Sequence, residues 1–118
     1  MPKEFSRKLR VANAIKKLIA PVITRYSKDQ GFGLVSVTDI DVSPDLKQSD
    51  IYLSVYGEAD LQAEVIAFFN ELAGTIRGEI ARDMTTKRHP ALHFKIDKGL
   101  ERGDRMARLL SANSDSDG

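Results

Sequence analysis

Between Phe5 and Tyr26 the apolar residues Val11, Ile15, Leu18, Val22 and Tyr26 recur at intervals of three and four. That spacing predicts one face of a long helix, with Arg10, Asn13, Lys17 and Thr24 on the opposite face. Pro21 has no N–H to offer the Lys17 carbonyl, so a bend is expected there. Asp29-Gln30-Gly31-Phe32-Gly33 reads as a turn, and Leu34 to Val42 as a strand rich in β-branched residues. Strict alternation puts Val35 and Val37 on one face but Ile40 and Val42 on the other; a bulge near Thr38-Asp39 lets both pairs face the core. Ser43-Pro44-Asp45-Leu46 makes the connection, after which Ile51, Leu53 and Val55 alternate with Tyr52, Ser54 and Tyr56. The two strands are expected to form an antiparallel hairpin.

A second helical pattern starts near Asp60, the expected N-cap, and runs through Leu61, Val65, Phe68 and Leu72. Gly74 interrupts it. A third follows at once, with Thr75 as its expected cap and Ile76, Ile80 and Met84 four apart. The two helices should therefore meet at a sharp corner around Leu72-Ala73-Gly74-Thr75. Pro90 opens an edge-compatible strand in which Leu92, Phe94 and Ile96 point inward and His93, Lys95 and Asp97 outward. Leu100 to Leu110 reads as a short closing helix, and Ser111 to Gly118 as a disordered acidic tail. The expectation is one α+β domain over 1–110, a three-stranded sheet with helices packed on one face, followed by the tail at 111–118.

Composition narrows the function. A chain of 118 residues, 42% of them apolar, fills one core. No run approaches the roughly 18 to 20 apolar residues of a membrane span, and the charged start from Met1 to Arg10 lacks a signal-peptide core. A cytoplasmic protein without membrane contact is expected. Without cysteine there is no disulfide framework, thiolate metal cage or cysteine nucleophile. The net charge of +1 conceals an asymmetry: Lys3, Arg7, Lys8, Arg10, Lys16, Lys17, Arg25 and Lys28 face Glu4 alone, whereas Asp115 and Asp117 close the chain with no basic residue after Arg108. Such a basic segment attracts polyanions even when the total charge is near zero. A solvated helix face accounts for the charges equally well.

Most chemical readings fail on spacing. His89 and His93 have the i, i+4 separation of a helical metal pair, but Pro90 favours extended backbone, and a strand separates them by about 13 Å. Gly31-Phe32-Gly33 lacks the third glycine of a dinucleotide fingerprint. Asp39, Asp41, Asp45 and Asp50 lack the glycine and closing glutamate of a calcium loop, so they are expected to solvate the hairpin. No cofactor, metal or catalytic constellation is expected. The corner at Gly74 is different, because a helix N-terminus offers N–H groups and a positive dipole end to an anion. Arg77, Arg82, Lys87 and Arg88 supply cations around it. The competing reading is that Gly74 simply ends a helix and the arginines are solvated.

Taken together, several segments carry a resemblance: Arg7 to Ile15, Val42-Ser43-Pro44-Asp45-Leu46-Lys47 running into Ile51-Tyr52-Leu53-Ser54, Ala73-Gly74-Thr75-Ile76-Arg77, Pro90-Ala91-Leu92-His93-Phe94, and Asp97 through Arg105-Met106. In this order the chain, to about Leu110, resembles the ribosome-binding factor A family of bacterial small-subunit assembly proteins. The resemblance implies a type II KH-like fold in which an interhelical kink of the form Ala-x-Gly replaces the usual GXXG loop. Here Leu72-Ala73-Gly74 departs at the first position, and Gln30 stands where the family often has proline. The implied role is non-catalytic: binding immature 30S subunits and 16S ribosomal RNA, including late maturation at its 5′ end, with a link to growth in the cold. Other small-subunit assembly factors are implied partners, and a monomer is expected. The residues expected to contact RNA are Arg7, Lys8, Arg10, Lys17, Gly74, Thr75, Arg77, Arg82, Lys87 and Arg88. Two rivals stand beside this reading: a protein–protein module docking through the first helix, and an enzyme using His93 with Asp97.

Overall fold

The computed structural model describes residues 3–99, with side chains from residue 6 onward. Its elements are α1 (Lys3–Gln30), β1 (Val35–Val42), β2 (Gln48–Val55), α2 (Ala59–Glu71), α3 (Ala73–Ala81) and β3 (Ala91–Ile96). The sheet has the order β1-β2-β3; β1 pairs antiparallel with β2, and β3 runs parallel to β2. The expected closing helix at Leu100–Leu110 and the tail at 111–118 lie outside the described residues.

α1 buries Val11, Ile15, Ile19 and Ile23 at 3% exposure or less. This stripe has a spacing of four and is rotated slightly from the expected one: Leu18, Val22 and Tyr26 are only half-buried. The helix has two neighbours. Its four-residue stripe packs into the core beneath the sheet, while Leu18 and Val22 flank it and line a cleft with Ile80 of α3. α1 also runs unbroken through Pro21. Pro21 is exposed, on the water side of the helix, so the carbonyl deprived of a partner remains open to solvent and the helix is not interrupted there.

The end of α1 is set by paired hydrogen bonds. Phe32 N–H donates to the Ser27 carbonyl at 3.0 Å and Gly31 N–H to that of Lys28 at 3.1 Å, with Gly31 at φ +69°. That is a Schellman cap, and its apolar contact is the buried Phe32. Phe32 meets Phe68 and Phe69 edge to face, and Phe69 in turn meets Phe94, so the cap is tied to the aromatic centre of the core.

The expected bulge is present. Val37 pairs with Leu53 and Asp39 with Tyr52, leaving Thr38 over. Val35 and Val42 are buried, and Val37 and Ile40 half-buried against the same core. β2 starts three residues before Ile51, and Ser49 at its core face donates its hydroxyl to the Ala91 carbonyl at 2.9 Å. Along the outer edge of β3, Asn70 of α2 grips one residue twice: its amide donates to the Phe94 carbonyl at 2.9 Å and its carbonyl accepts from Phe94 N–H at 2.8 Å. One side chain thus blunts an edge strand that would otherwise offer both groups.

Neither expected N-cap is one. α2 begins at Ala59 with Glu58 in the cap position, and Asp60 sits within the first turn, where a carboxylate favours the positive helix end. Gln62 holds this entry through the Gly57 carbonyl at 3.0 Å; at Gly57, φ is +150° and a Cβ would come within 2.6 Å of Leu61. Between α2 and α3 the break is Leu72 alone, at φ −92° and ψ 3°. That conformation is open to any L residue, so neither Gly74 nor Thr75 is needed to turn the chain; both lie in the first turn of α3.

Two contacts carry testable consequences. Glu79 of α3 accepts from Arg25 at 2.8 Å and from the Tyr26 hydroxyl at 3.0 Å, joining α3 to α1. Burial alone raises the Glu79 pKa, but hydrogen bonds from Arg25 and Tyr26 and the Arg25 and Arg82 charges outweigh it, leaving the carboxyl below its usual value of 4.5. A depressed folded pKa contributes stability above the unfolded value, and that contribution is lost as pH falls through the folded one. The melting-temperature deficit of Glu79→Gln is therefore expected to be larger at pH 7 than at pH 3; an equal deficit at both contradicts the assignment. The Ser27 hydroxyl is buried with no hydrogen-bond partner among the described residues. Ser27→Ala is expected to stabilise the fold by about 1 kcal/mol in urea denaturation, since it removes an unsatisfied polar group and favours helix.

Candidate nucleic-acid interface

Because α1 turns its apolar stripe inward, its outward face carries Arg10, Asn13, Lys17, Thr24 and Lys28, all exposed. At 1.5 Å per residue, Arg10 to Lys28 spans about 27 Å. Lys16 is exposed on the flank, and Lys8 is half-buried. Lys28 extends the stripe although the sequence reading did not select it; its place 18 residues after Arg10, five helical turns, was the available signal. Arg25 is committed to Glu79 and lies over the Tyr26 ring at 5.0 Å.

At its N-terminal end α1 meets the loop between α3 and β3. There Arg7 and Arg10 face Lys87 and Arg88 across a groove of about 540 Å³, with Thr85 and Thr86 on the loop side and Val11 and Leu46 as its apolar part. The loop is held from within and from α3. Thr86 donates its hydroxyl to the Arg88 carbonyl at 3.1 Å, and His89 Nε2 bonds the Thr86 carbonyl at 3.1 Å. Arg77 Nε donates to the His89 carbonyl at 2.7 Å. Arg77 thus fixes the loop that carries Lys87 and Arg88 and does not line the groove. Leu46 was missed by sequence reading, because it is brought in from the β1–β2 turn.

Gly74, Thr75 and Gly78 are exposed on α3, and Arg82 is exposed at its C-cap. A Cβ built on Gly74 or Gly78 meets nothing within 4 Å, so the fold leaves bare backbone at this surface without requiring it. α1 and α3 run in opposite directions: Arg25 and Tyr26 reach Glu79, whereas Arg7 and Arg10 reach Thr85 to Arg88. The expected contacts accordingly divide between the groove (Arg7, Arg10, Lys87, Arg88), the α1 stripe (Lys17) and the α3 surface (Gly74, Thr75, Arg82), with Gly74 at the end of α3 away from the groove.

The open face of the sheet has a different character. Lys95 is paired with Asp50 at 3.1 Å, a contact that holds its ammonium above the usual range through the hydrogen bond and the charge. Thr38 donates to Asp97 at 2.6 Å, and His93 is hydrogen-bonded to Gln48. The Asp45 carboxyl lies below its usual range because the Ser43 hydroxyl and the Lys47 N–H donate to it. His89 and His93 hold separate partners, and among the described residues no group of three or more His, Cys, Asp or Glu side chains is placed to hold a metal ion. No helix among the described residues is long and apolar enough to cross a membrane.

Residues 7–110 match the family model described as ribosome-binding factor A. Ribosome-binding factor A of Thermomicrobium roseum is 38% identical over 104 residues, covering 88% of this chain and 81% of that one. The protein of the same name from Microcystis aeruginosa is 41% identical over 103 residues, covering 86% and 80%. Among solved structures, the crystal structure of ribosome-binding factor A from Thermus thermophilus superposes with a TM-score of 0.64 at 19% identity, covering 75% of this chain and 94% of that one. A homology model of the Thermus thermophilus factor, fitted into a cryo-EM map of its complex with the 30S subunit, gives 0.58 at 20% identity, covering 70% and 86%. The α+β arrangement is the KH-like one that the sequence led us to expect. On the family match across nearly its whole length, this chain belongs to the ribosome-binding factor A family.

Proposed function

We propose that the protein binds the small ribosomal subunit through the outer surface of its helix layer, as an assembly factor that acts on immature 30S particles in the cytoplasm. The observation that carries this reading is the 28-residue α1, whose inward face is fixed in the core so that Arg10, Lys17 and Lys28 stand in one exposed line. The fitted complex of the Thermus thermophilus factor supports the choice of partner. Phosphate contacts from α1, from the groove and from the open backbone at Gly74 would supply affinity without reading sequence, and fit to folded RNA would supply selectivity. The protein makes and breaks no bond; it holds the 16S RNA in a state that favours late maturation, including processing at the 5′ end, and then leaves. Slow RNA rearrangement at low temperature makes such a holder most useful in the cold.

The rival docking module needs the apolar stripe of α1 to be available. Val11, Ile15, Ile19 and Ile23 are at most 3% exposed, so that stripe is already used.

Co-sedimentation with purified 30S subunits at two salt concentrations tests the proposal. Four phosphate contacts predict a loss of affinity of about a hundredfold between 50 and 200 mM salt. The Arg10→Glu/Lys17→Glu variant is expected to lose association at both. Gly74→Ala separates close approach from folding: it should keep or slightly raise the melting temperature, as alanine is the better helix former, yet weaken binding. Salt-independent association, or full binding by the double variant, contradicts the proposal.

A further inference from the structure

Among the described residues three large apolar side chains are exposed, and two of them, Leu34 at 78% and Tyr56 at 82%, are neighbours. Tyr56 N–H donates to the Leu34 carbonyl at 3.0 Å, which continues the β1–β2 register one pair beyond Val35 and Val55. Partners across an antiparallel pair carry their side chains on one face, about 5 Å apart. Val35 and Val55 are buried, so alternation turns Leu34 and Tyr56 to the open face of the sheet. Tyr52 stands on the same face, half-buried, four residues earlier on β2. Between them lies the exposed pair Ser36 and Ser54. The open face thus has a low floor of two serines, with Tyr52 on one side and Leu34 and Tyr56 on the other. A single exposed apolar residue is ordinary on a protein surface, but an adjoining pair beside a half-buried aromatic is a patch of the kind that marks a contact.

The charges on this face select the kind of partner. Of the charged residues that the register turns to it, Asp39, Asp41 and Asp50 are acidic and Lys95 is basic, and Asp97 reaches it from just past β3 to accept from Thr38. Lys95 is already paired with Asp50. Carboxylates around an apolar patch repel phosphate and attract lysine and arginine. A base stacked on Tyr52 or Tyr56 brings its phosphate to these carboxylates, whereas a protein can set an apolar side chain there with cations beside it. Tyrosine is also among the residues most enriched where protein surfaces meet. We propose that this end of the sheet face docks a protein of the small subunit, through an apolar side chain seated against Leu34, Tyr56 and Tyr52 and a lysine or arginine beside it that meets Asp39 and Asp97. This rests on the small-subunit reading above and goes beyond it, because it gives the face opposite the basic helix layer a partner of its own.

The test compares the wild type with Leu34→Ser/Tyr56→Ser on purified 30S subunits and on naked 16S RNA. Both side chains are exposed, and the bond between the two residues is made by backbone, so the double variant should keep its melting temperature. Its affinity for 30S subunits should fall about tenfold, the loss expected when an aromatic anchor is truncated, while its affinity for naked 16S RNA should not change. Tyr56→p-benzoylphenylalanine, a photoreactive substitution, identifies what lies opposite. On 30S subunits it should crosslink to a subunit protein, giving an adduct that protease destroys and ribonuclease leaves intact. Unchanged 30S affinity in the double variant, an equal loss on 30S subunits and naked RNA, or a crosslink to RNA alone or to nothing overturns the docking face and leaves small-subunit binding standing. No binding of the wild type to 30S subunits overturns both.

Discussion

The packing of Val11, Ile15, Ile19 and Ile23 of α1 into the core is the contact on which the rest of the structure depends. Each such side chain contributes about 1.5–3 kcal/mol on burial, and together they fix the rotation of a 28-residue helix about its axis. Once that rotation is set, Arg10, Lys17 and Lys28 can only face water. The Schellman cap at Gly31 sets where the helix stops, and Phe32 anchors that stop in the aromatic cluster. Charge at the surface is thus arranged by apolar contacts beneath it.

The same packing brings distant parts of the chain to the N-terminal end of α1. The β1–β2 turn contributes Leu46, and the α3–β3 loop contributes Lys87 and Arg88. Both are tied down by hydrogen bonds, the turn through Ala91 N–H to the Lys47 carbonyl and the loop through the Arg77 side chain to the His89 carbonyl. Cations held on such supports lose less conformational freedom when they meet a phosphate than cations on a free tail. On the other face of the sheet, the Lys95–Asp50 pair and the Thr38–Asp97 contact take up the charges locally. On that asymmetry rests the proposal that the helix layer, and not the sheet, meets a polyanion.

Much of this was legible in the residue pattern, for physical reasons that also explain where it was not. The bulge at Thr38 could be read because no unbroken strand puts Val35, Val37, Ile40 and Val42 on one side. The stripe of α1 was read slightly out of phase, since Leu18 and Val22 follow a three-to-four spacing as well as Ile19 and Ile23 do, and the position of α3 decides between them. Asp60 and Thr75 have capping side chains, but the helix ends are fixed by Gly57, Glu58 and Leu72, which carry no such signal. Gly74 suggested a turn, whereas the turn is made by Leu72 alone. The basic residues could be named individually. Their grouping into a groove could not, because Arg7, Leu46 and Arg88 meet only in the folded chain, and nothing about a leucine announces a φ of +62°.

A cryo-EM map of this protein on the immature 30S subunit measures the central claim most directly, since it reads which surface faces RNA. The account predicts that Arg10, Lys17 and Lys28 of α1 and the groove beside Leu46 lie against the phosphate backbone, with the open face of the sheet turned away. A complex in which the sheet face carrying Asp50 and Lys95 meets the RNA, or in which α1 faces solvent, would contradict it.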